Sequence, residues 1–221
     1  MSSHSQVTVA ENLPMPRPRE RSVHERVLKR AIDLSGATAL LCLLSPLLLL
    51  LMLLIWISDG LPIFYLRRVV GSEGEFDAYK FRTMCHDADR ILQADPELRE
   101  AFVRNFKLRS DPRVTRVGEW LRKYSLDELP QLINVLKGQM SLVGPRMITA
   151  QELCKYGEYQ NVLIGVRPGI TGYWQIRGRQ DVSYEERVNM DMYYVTHWTL
   201  GLDLRILFET PWKVIKGKGA Y

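Results

Sequence analysis

Asp127 and Glu128 are adjacent carboxylates in the stretch LRKYSLDELPQL. Proline cannot lie deep inside a helix, so Pro130 requires any helix here to start close to Asp127. Both acids then fall in a first turn, where free N–H groups and the helix dipole favour negative charge. Ser125 and Glu128 also fit a capping box, so a purely structural role is available to them. The chemical role is an ionised Asp127 able to attack phosphorus or to bind Mg²⁺.

Arginine is the second resource. Arg113, Arg116, Arg122, Arg146, Arg167, Arg177 and Arg179 all occur in loop-like or element-edge contexts near Gly or Pro. The planar guanidinium fork matches phosphate oxygens in pairs. Taken singly, each of these fits a solvated basic surface or a contact with acidic lipid heads. The chain carries a net charge of +5, which suits an anionic partner. No G-x-x-x-x-G-K-[ST] or G-x-G-x-x-G run is present, so the usual phosphate-loop folds are not indicated. Basic helix-turn-helix and aromatic–basic patterns are missing as well, which argues against a nucleic-acid partner. The histidines are isolated or near the N-terminus, and Cys42, Cys85 and Cys154 form no C-x-x-C pair. A histidine-based metal site, a Ser-His-Asp triad and a disulfide framework are therefore all disfavoured. His86-Asp87-Ala88-Asp89 reads better as a polar helix start than as a metal site.

The elements that must carry these groups begin with a membrane segment. Residues 1–25, rich in Ser and Pro, read as a disordered tail. Residues 34–58 contain no charged residue, and the run is long enough to cross a hydrocarbon core of ~30 Å as a helix. One reading is a single span with a soluble domain behind it. The other is a helix that enters, breaks at Ser45-Pro46 and returns. Proline favours a kink, and both flanks are basic: Arg26, Lys29 and Arg30 before, Arg67, Arg68, Lys80 and Arg82 after. Positively charged flanks stay cytoplasmic, which a hairpin satisfies at both ends.

Beyond it, residues 62–84 read as a β-hairpin turning between Gly71 and Gly74. Asp95-Pro96 starts a helix whose face holds Leu98, Phe102 and Phe106. Residues 111–124 read as basic and irregular, 127–137 as a short helix, 149–160 as a helix, and 165–178 as loop. Ser183 and Glu186 form a capping box for a helix to about Thr196. The apolar C-terminal stretch, with Trp198, Trp212, Lys213, Lys216 and Lys218, suits a membrane interface. The fold class is α+β and helix-rich: a membrane helix over 26–60, either spanning or re-entrant, and a compact cytoplasmic domain over 61–221 with a small β-hairpin.

Several of these stretches together resemble the bacterial sugar transferases, the monotopic phosphoglycosyl transferases. They are KRAIDL (29–34), the Ser45-Pro46 pair, YKFRTM (79–84), the long block from Asp111 to Arg146, VRPGITGYWQIRGR (166–179) and MDMYYV (190–195). Two positions depart from the family's usual pattern: Met147 follows VGPR where a proline is usual, and Arg67 stands where glutamine is common. The resemblance implies a re-entrant helix broken at Ser45-Pro46 and an active site facing the cytoplasm at the bacterial inner membrane. It implies that Asp127 is the nucleophile and the Mg²⁺ contact, with Glu128 as the second member of the dyad. It implies a hexose-1-phosphate passed from a UDP-sugar to polyprenyl phosphate through an aspartyl intermediate, with release of UMP. Lys80, Arg82, Arg122, Arg146, Arg167 and Arg179 are the expected substrate-binding residues. The C-terminal segment is similar to the branch using UDP-galactose or UDP-glucose, whose members often carry further N-terminal membrane helices that this chain is expected to lack. An N-acetylated or deoxyamino sugar donor is the alternative within enzymes, and a membrane-anchored adaptor the alternative outside them. Membrane lipid is an expected partner, and self-association is left open.

Overall fold

The computed structural model describes residues 18–105, 108, 111–177 and 182–215. The chain runs through α1 (Val23–Asp59), β1 (Phe64–Gly71), β2 (Gly74–Phe81), α2 (Ala88–Ala94), α3 (Pro96–Asn105) and α4 (Arg116–Lys123). A 3-10 turn (Leu126–Gln131) leads into α5 (Leu132–Leu136), β3 (Ser141–Val143), α6 (Ala150–Leu153) and α7 (Gln160–Ile164). The remainder is β4 (Gly169–Thr171), α8 (Tyr173–Arg177), α9 (Tyr184–Thr196) and α10 (Leu200–Ile215). The class is α+β and helix-rich, as expected.

Helix α1 is long and apolar enough to cross a membrane. It starts at Val23, inside the stretch read as tail, because Ser22 and Glu25 close a capping box of 3.2 and 3.0 Å. The chain stays helical from Val23 to Asp59 with Pro46 inside, so the expected interruption is not a loss of helix. A local repair accounts for this. Proline has no N–H to give the carbonyl of Cys42, one turn earlier. The Ser45 hydroxyl donates to that carbonyl instead, at 2.9 Å.

Both ends of α1 are fastened to one body. Near the start, Arg30 donates to the carbonyls of Val135 (2.7 Å) and Leu136 (3.1 Å), and Ala37 is fully buried in the main core. Lys29, counted from the sequence in a basic flank, is instead buried between Asp33 and Asp203. Near the end, Leu51 and Ile55 pack with Phe81 and Leu121 in a second core. There the carbonyls of Asp59 and Gly60 accept from Arg82, and the Asp59 carboxylate accepts from Thr115 Oγ1 at 3.1 Å. Between these anchors Leu40, Leu43, Leu49 and Leu50 are exposed.

Strands β1 and β2 pair antiparallel from Phe64↔Phe81 to Gly71↔Gly74. Gly74 closes the turn at φ +107, a conformation that favours glycine. The short strands β3 and β4 pair in parallel, Ser141 with Gly169 and Val143 with Thr171. This corrects the reading of 165–178 as loop. The two backbones touch where VGPR meets RPGITG: a Cβ on Gly169 would sit 2.1 Å from the Gly144 nitrogen.

Three further expectations change. Residues 111–124 contain helix α4, with Thr115 accepting from the Gly118 N–H at its start and Leu121 buried. The expected helix over 149–160 is α6 followed by a 3-10 segment, bent at Gly157 where φ is +51. Trp198, placed from sequence at a membrane interface, is fully buried, whereas Trp212 is 61% exposed. Phe106, Lys216 and Lys218 lie outside the described residues.

Candidate active site

Asp127 and Glu128 sit in the 3-10 turn that packs against β2, and β2 presents Lys80 to them. The Lys80 ammonium lies 2.6 Å from Glu128 Oε1 and 3.5 Å from Asp127 Oδ2. The predicted capping box is absent. Ser125 stands at φ +53 and makes no capping bond with its side chain, because the preceding α4 ends there and the backbone reverses. A single six-residue 3-10 turn sums little dipole with which to favour a charge on Asp127. Burial pushes the Asp127 carboxyl above the usual range, further than Lys80 pulls it down, and the Glu128 charge adds to the push. For Glu128 burial acts in the same upward sense, but Lys80, Arg146 and Arg67 outweigh it and hold the carboxyl low. The turn thus carries one acid whose charge its cationic neighbours favour and one whose charge burial disfavours.

Arg122, in the last turn of α4, donates through Nε to Thr83 Oγ1 at 2.9 Å and acts electrostatically on Asp127. Arg67 on β1 pairs with Glu152 at 2.8 Å. Arg146 follows β3, where the close approach of Gly144 to Gly169 fixes its backbone. It lies over the Trp174 ring with Cζ 5.1 Å from the centroid. Helix α9 adds Arg187, over both Tyr184 (3.9 Å) and Trp174 (5.5 Å), and Asp191.

The structure does not gather all the expected substrate-binding residues. Lys80 contacts both acids, Arg122 acts electrostatically on Asp127, and Arg146 acts on Glu128. Arg82 is instead occupied at the C-terminus of α1, with a further contact to His86 at 3.1 Å. Buried carbonyls at a helix end need donors, and this arginine supplies them. Arg167 pairs at 3.3 Å with Glu73 in the hairpin turn, exposed on both sides. Arg179 lies outside the described residues. Arg113 is locked bidentately onto Asp111 at 2.8 and 2.7 Å.

Asp191 is fully buried, accepting from the Tyr156 hydroxyl at 2.8 Å and the Arg146 backbone N–H at 3.3 Å. Burial pushes its carboxyl from an ordinary 3.8 up to about 6, against the pull of those two donors and of Arg187 and Arg146. The folded state then holds this proton more tightly than the unfolded chain. Its stabilising effect is full below pH 3.8 and is lost as pH rises through about 6. A two-unit shift corresponds to roughly 3 kcal/mol. Asp191→Asn is expected to flatten the fall in melting temperature between pH 4 and 6, and an unchanged slope in the variant would refute the assignment.

The bacterial sugar transferase family model matches residues 24–217, which run from the first turn of α1 past the end of α10. The chain belongs to the bacterial sugar transferase family. It is 47% identical over 200 residues to the exopolysaccharide production protein ExoY of Sinorhizobium fredii, covering 88% of each chain. It is 45% identical to the undecaprenyl-phosphate galactose phosphotransferase of Salmonella typhimurium, over 89% of this chain and 42% of that protein. It is 44% identical to the UDP-galactose-lipid carrier transferase of Erwinia amylovora, again over 89% and 42%. The chain thus spans less than half the length of these last two relatives.

In this bacterial sugar transferase, sequence reasoning missed Arg187, Trp174 and Asp191. Trp174 and Asp191 stood inside quoted stretches without a role. Arg187 lies in a helix with an ordinary mixed surface, and only the fold brings it beside Arg146. Among the described residues no group of three or more His, Cys, Asp or Glu side chains could hold a metal alone. Mg²⁺ fits here nonetheless, because it is commonly held by one or two carboxylates together with substrate phosphates. Asp127 is buried, and among the described residues the one hydrogen bond to its carboxylate is the long contact with Lys80.

Proposed function

We propose that this protein transfers hexose-1-phosphate from a UDP-sugar, UDP-galactose or UDP-glucose, to polyprenyl phosphate such as undecaprenyl phosphate. The carrying observation is the Asp127–Glu128 pair, Asp127 buried and Glu128 partly so, bridged by Lys80 and within electrostatic reach of Arg122 and Arg146. An Asp127 oxygen attacks the sugar-side phosphorus of the donor. The bond from that phosphorus to the bridging oxygen breaks, and UMP leaves with the electron pair. An oxygen of the lipid phosphate then attacks the same phosphorus and releases Asp127, yielding the polyprenyl diphosphate sugar. Lys80 stays with Glu128 and keeps a positive charge beside the attacking carboxylate. Arg122 and Arg146 bind the phosphates. Mg²⁺, held by Asp127, would supply charge that offsets the diphosphate and lowers the proton affinity of that buried acid. The test is UMP release from a panel of UDP-sugars by the purified protein with lipid phosphate and Mg²⁺. No release with any of them would refute the reaction.

The location proposed is the bacterial inner membrane with the site facing the cytoplasm and α1 re-entrant. In support, both ends of α1 are tied to one body while its middle leucines are exposed. A straight 37-residue helix would reach about 55 Å, and crossing would send one anchored end to the far side. His24→Cys and Ser58→Cys, each in a chain with the native cysteines replaced by serine, are therefore expected to label from the cytoplasmic face alone. Labelling of either one only from the opposite face would show that α1 spans.

A further inference from the structure

Around Arg146 a group of donor atoms stands without hydrogen-bond partners. The Nε atoms of Arg146 and Arg187, the indole Nε1 of Trp174 and the hydroxyl of Tyr184 are all buried and make no hydrogen bond. Among the described residues, neither guanidinium has an ion-pair partner. Nearby acids are already engaged: Glu152 by Arg67 at 2.8 Å, Asp191 by Tyr156 at 2.8 Å. Two like charges over one indole ring are thus left without a direct ion pair. Burial pushes the Arg187 guanidinium below the usual arginine range, and the neighbouring Arg146 pushes the same way. Burial also raises the Tyr184 hydroxyl to about 12, so it stays a neutral donor.

Buried donors are normally satisfied, and a charge left without a partner is costly. A cluster rich in donors and poor in free acceptors is complementary to an anion. The guanidinium fork matches phosphate as well as carboxylate oxygens in pairs, and phosphate is the anion that the proposed donor brings. Arg146 acts on Glu128, so it reaches toward the phosphorus that Asp127 would attack. Arg187 is linked to that pair through Arg146, with which it shares the Trp174 ring. Adjacent phosphates of one diphosphate fit this order, the transferred one at Asp127 and the departing one between Arg146 and Arg187.

We propose that Arg187, with Arg146, Trp174 and Tyr184, binds the nucleotide-side phosphate of the donor and neutralises it as the nucleoside monophosphate departs. This rests on the reaction proposed above. Arg187 would then be a substrate-binding residue whose charge is satisfied only when donor or UMP is present.

The test is UMP binding by calorimetry to the full chain in detergent, without Mg²⁺ or lipid, for wild type, Arg187→Gln, Arg187→Lys and Tyr184→Phe. Arg187→Gln is expected to weaken UMP at least tenfold, Arg187→Lys less, and Tyr184→Phe by a few fold. The melting temperature should rise with UMP in wild type and barely in Arg187→Gln. Uridine should bind all four proteins alike, and the KM for polyprenyl phosphate should not change. Wild-type UMP affinity in the variants would overturn the proposal. So would a defect confined to the polyprenyl phosphate KM, which would assign the anion to the lipid. Should Arg187→Gln not fold, Arg187→Lys and Tyr184→Phe carry the same comparison. Failure of the proposed reaction looks different, since the wild type would then release no UMP from any UDP-sugar.

Discussion

Asp127→Asn is expected to abolish turnover by several powers of ten while leaving the fold intact. The amide keeps the carboxylate's size but is a far poorer nucleophile. Each power of ten corresponds to about 1.4 kcal/mol of lost transition-state stabilisation. Stability should change little, because the tight partner of Lys80 is Glu128 at 2.6 Å rather than Asp127 at 3.5 Å. Removing one of two neighbouring acids also relieves their repulsion. Glu128→Gln should be slow for a different reason: it frees Lys80 to pair with Asp127, which lowers the reactivity of that carboxylate. Intact-protein mass spectrometry after mixing with UDP-sugar and Mg²⁺, without lipid, separates the two. Wild type should gain a hexose-phosphate on the peptide holding Asp127 and lose it when polyprenyl phosphate is added. Asp127→Asn should gain nothing. An adduct on that variant, or kinetics that require both substrates bound at once, would replace the two-step reaction with a direct transfer.

The acidic pair was legible because two adjacent carboxylates beside a proline restrict the backbone whatever surrounds them. Its electrostatic state was not. The sequence suggests a helix start that holds Asp127 ionised, whereas the fold buries it and gives most of the Lys80 charge to Glu128. The hairpin was legible to its turn, since Gly71 and Gly74 mark the reversal and the arms are apolar. Helix α4 was hidden by its basic composition. Its inward side is carried by Val117, Gly118 and Leu121, a helical spacing that the dense charged residues around it obscure. Strand β4 was hidden because its partner β3 is far away in sequence and only three residues long. Arginine roles divided for a similar reason. Whether a guanidinium meets a helix end, as Arg82 does, or lies over an indole, as Arg146 does, depends on tertiary neighbours.

The same limit applies to Lys29, where a large loss of stability is expected. Its ammonium lies 3.1 Å from Asp33 and 2.8 Å from Asp203, all three residues buried. Asp33 also accepts from the Ser141 hydroxyl at 2.9 Å and the Leu142 N–H at 3.0 Å. Asp203 accepts from the Tyr194 hydroxyl at 2.8 Å and the Trp198 indole at 3.2 Å. One cation therefore joins α1, β3, α9 and α10, with two anions around it. Lys29→Met would leave both carboxylates buried without it, a change that typically costs about 3–5 kcal/mol. Adding Asp203→Asn should restore part of the loss, because Asp33 alone keeps its hydroxyl and backbone donors. The two changes should be strongly non-additive in a double-mutant cycle read by denaturant unfolding. Function should fail unevenly. Loosening the start of α1 disturbs how the body is held at the membrane before it disturbs Asp127, which packs against β2 and α4. Adduct formation from the soluble donor should then outlast transfer to the lipid in Lys29→Met. Equal stability of Lys29→Met and wild type would mean that the apolar packing of Ala37 and Leu142, not the ion pairs, holds α1 in place.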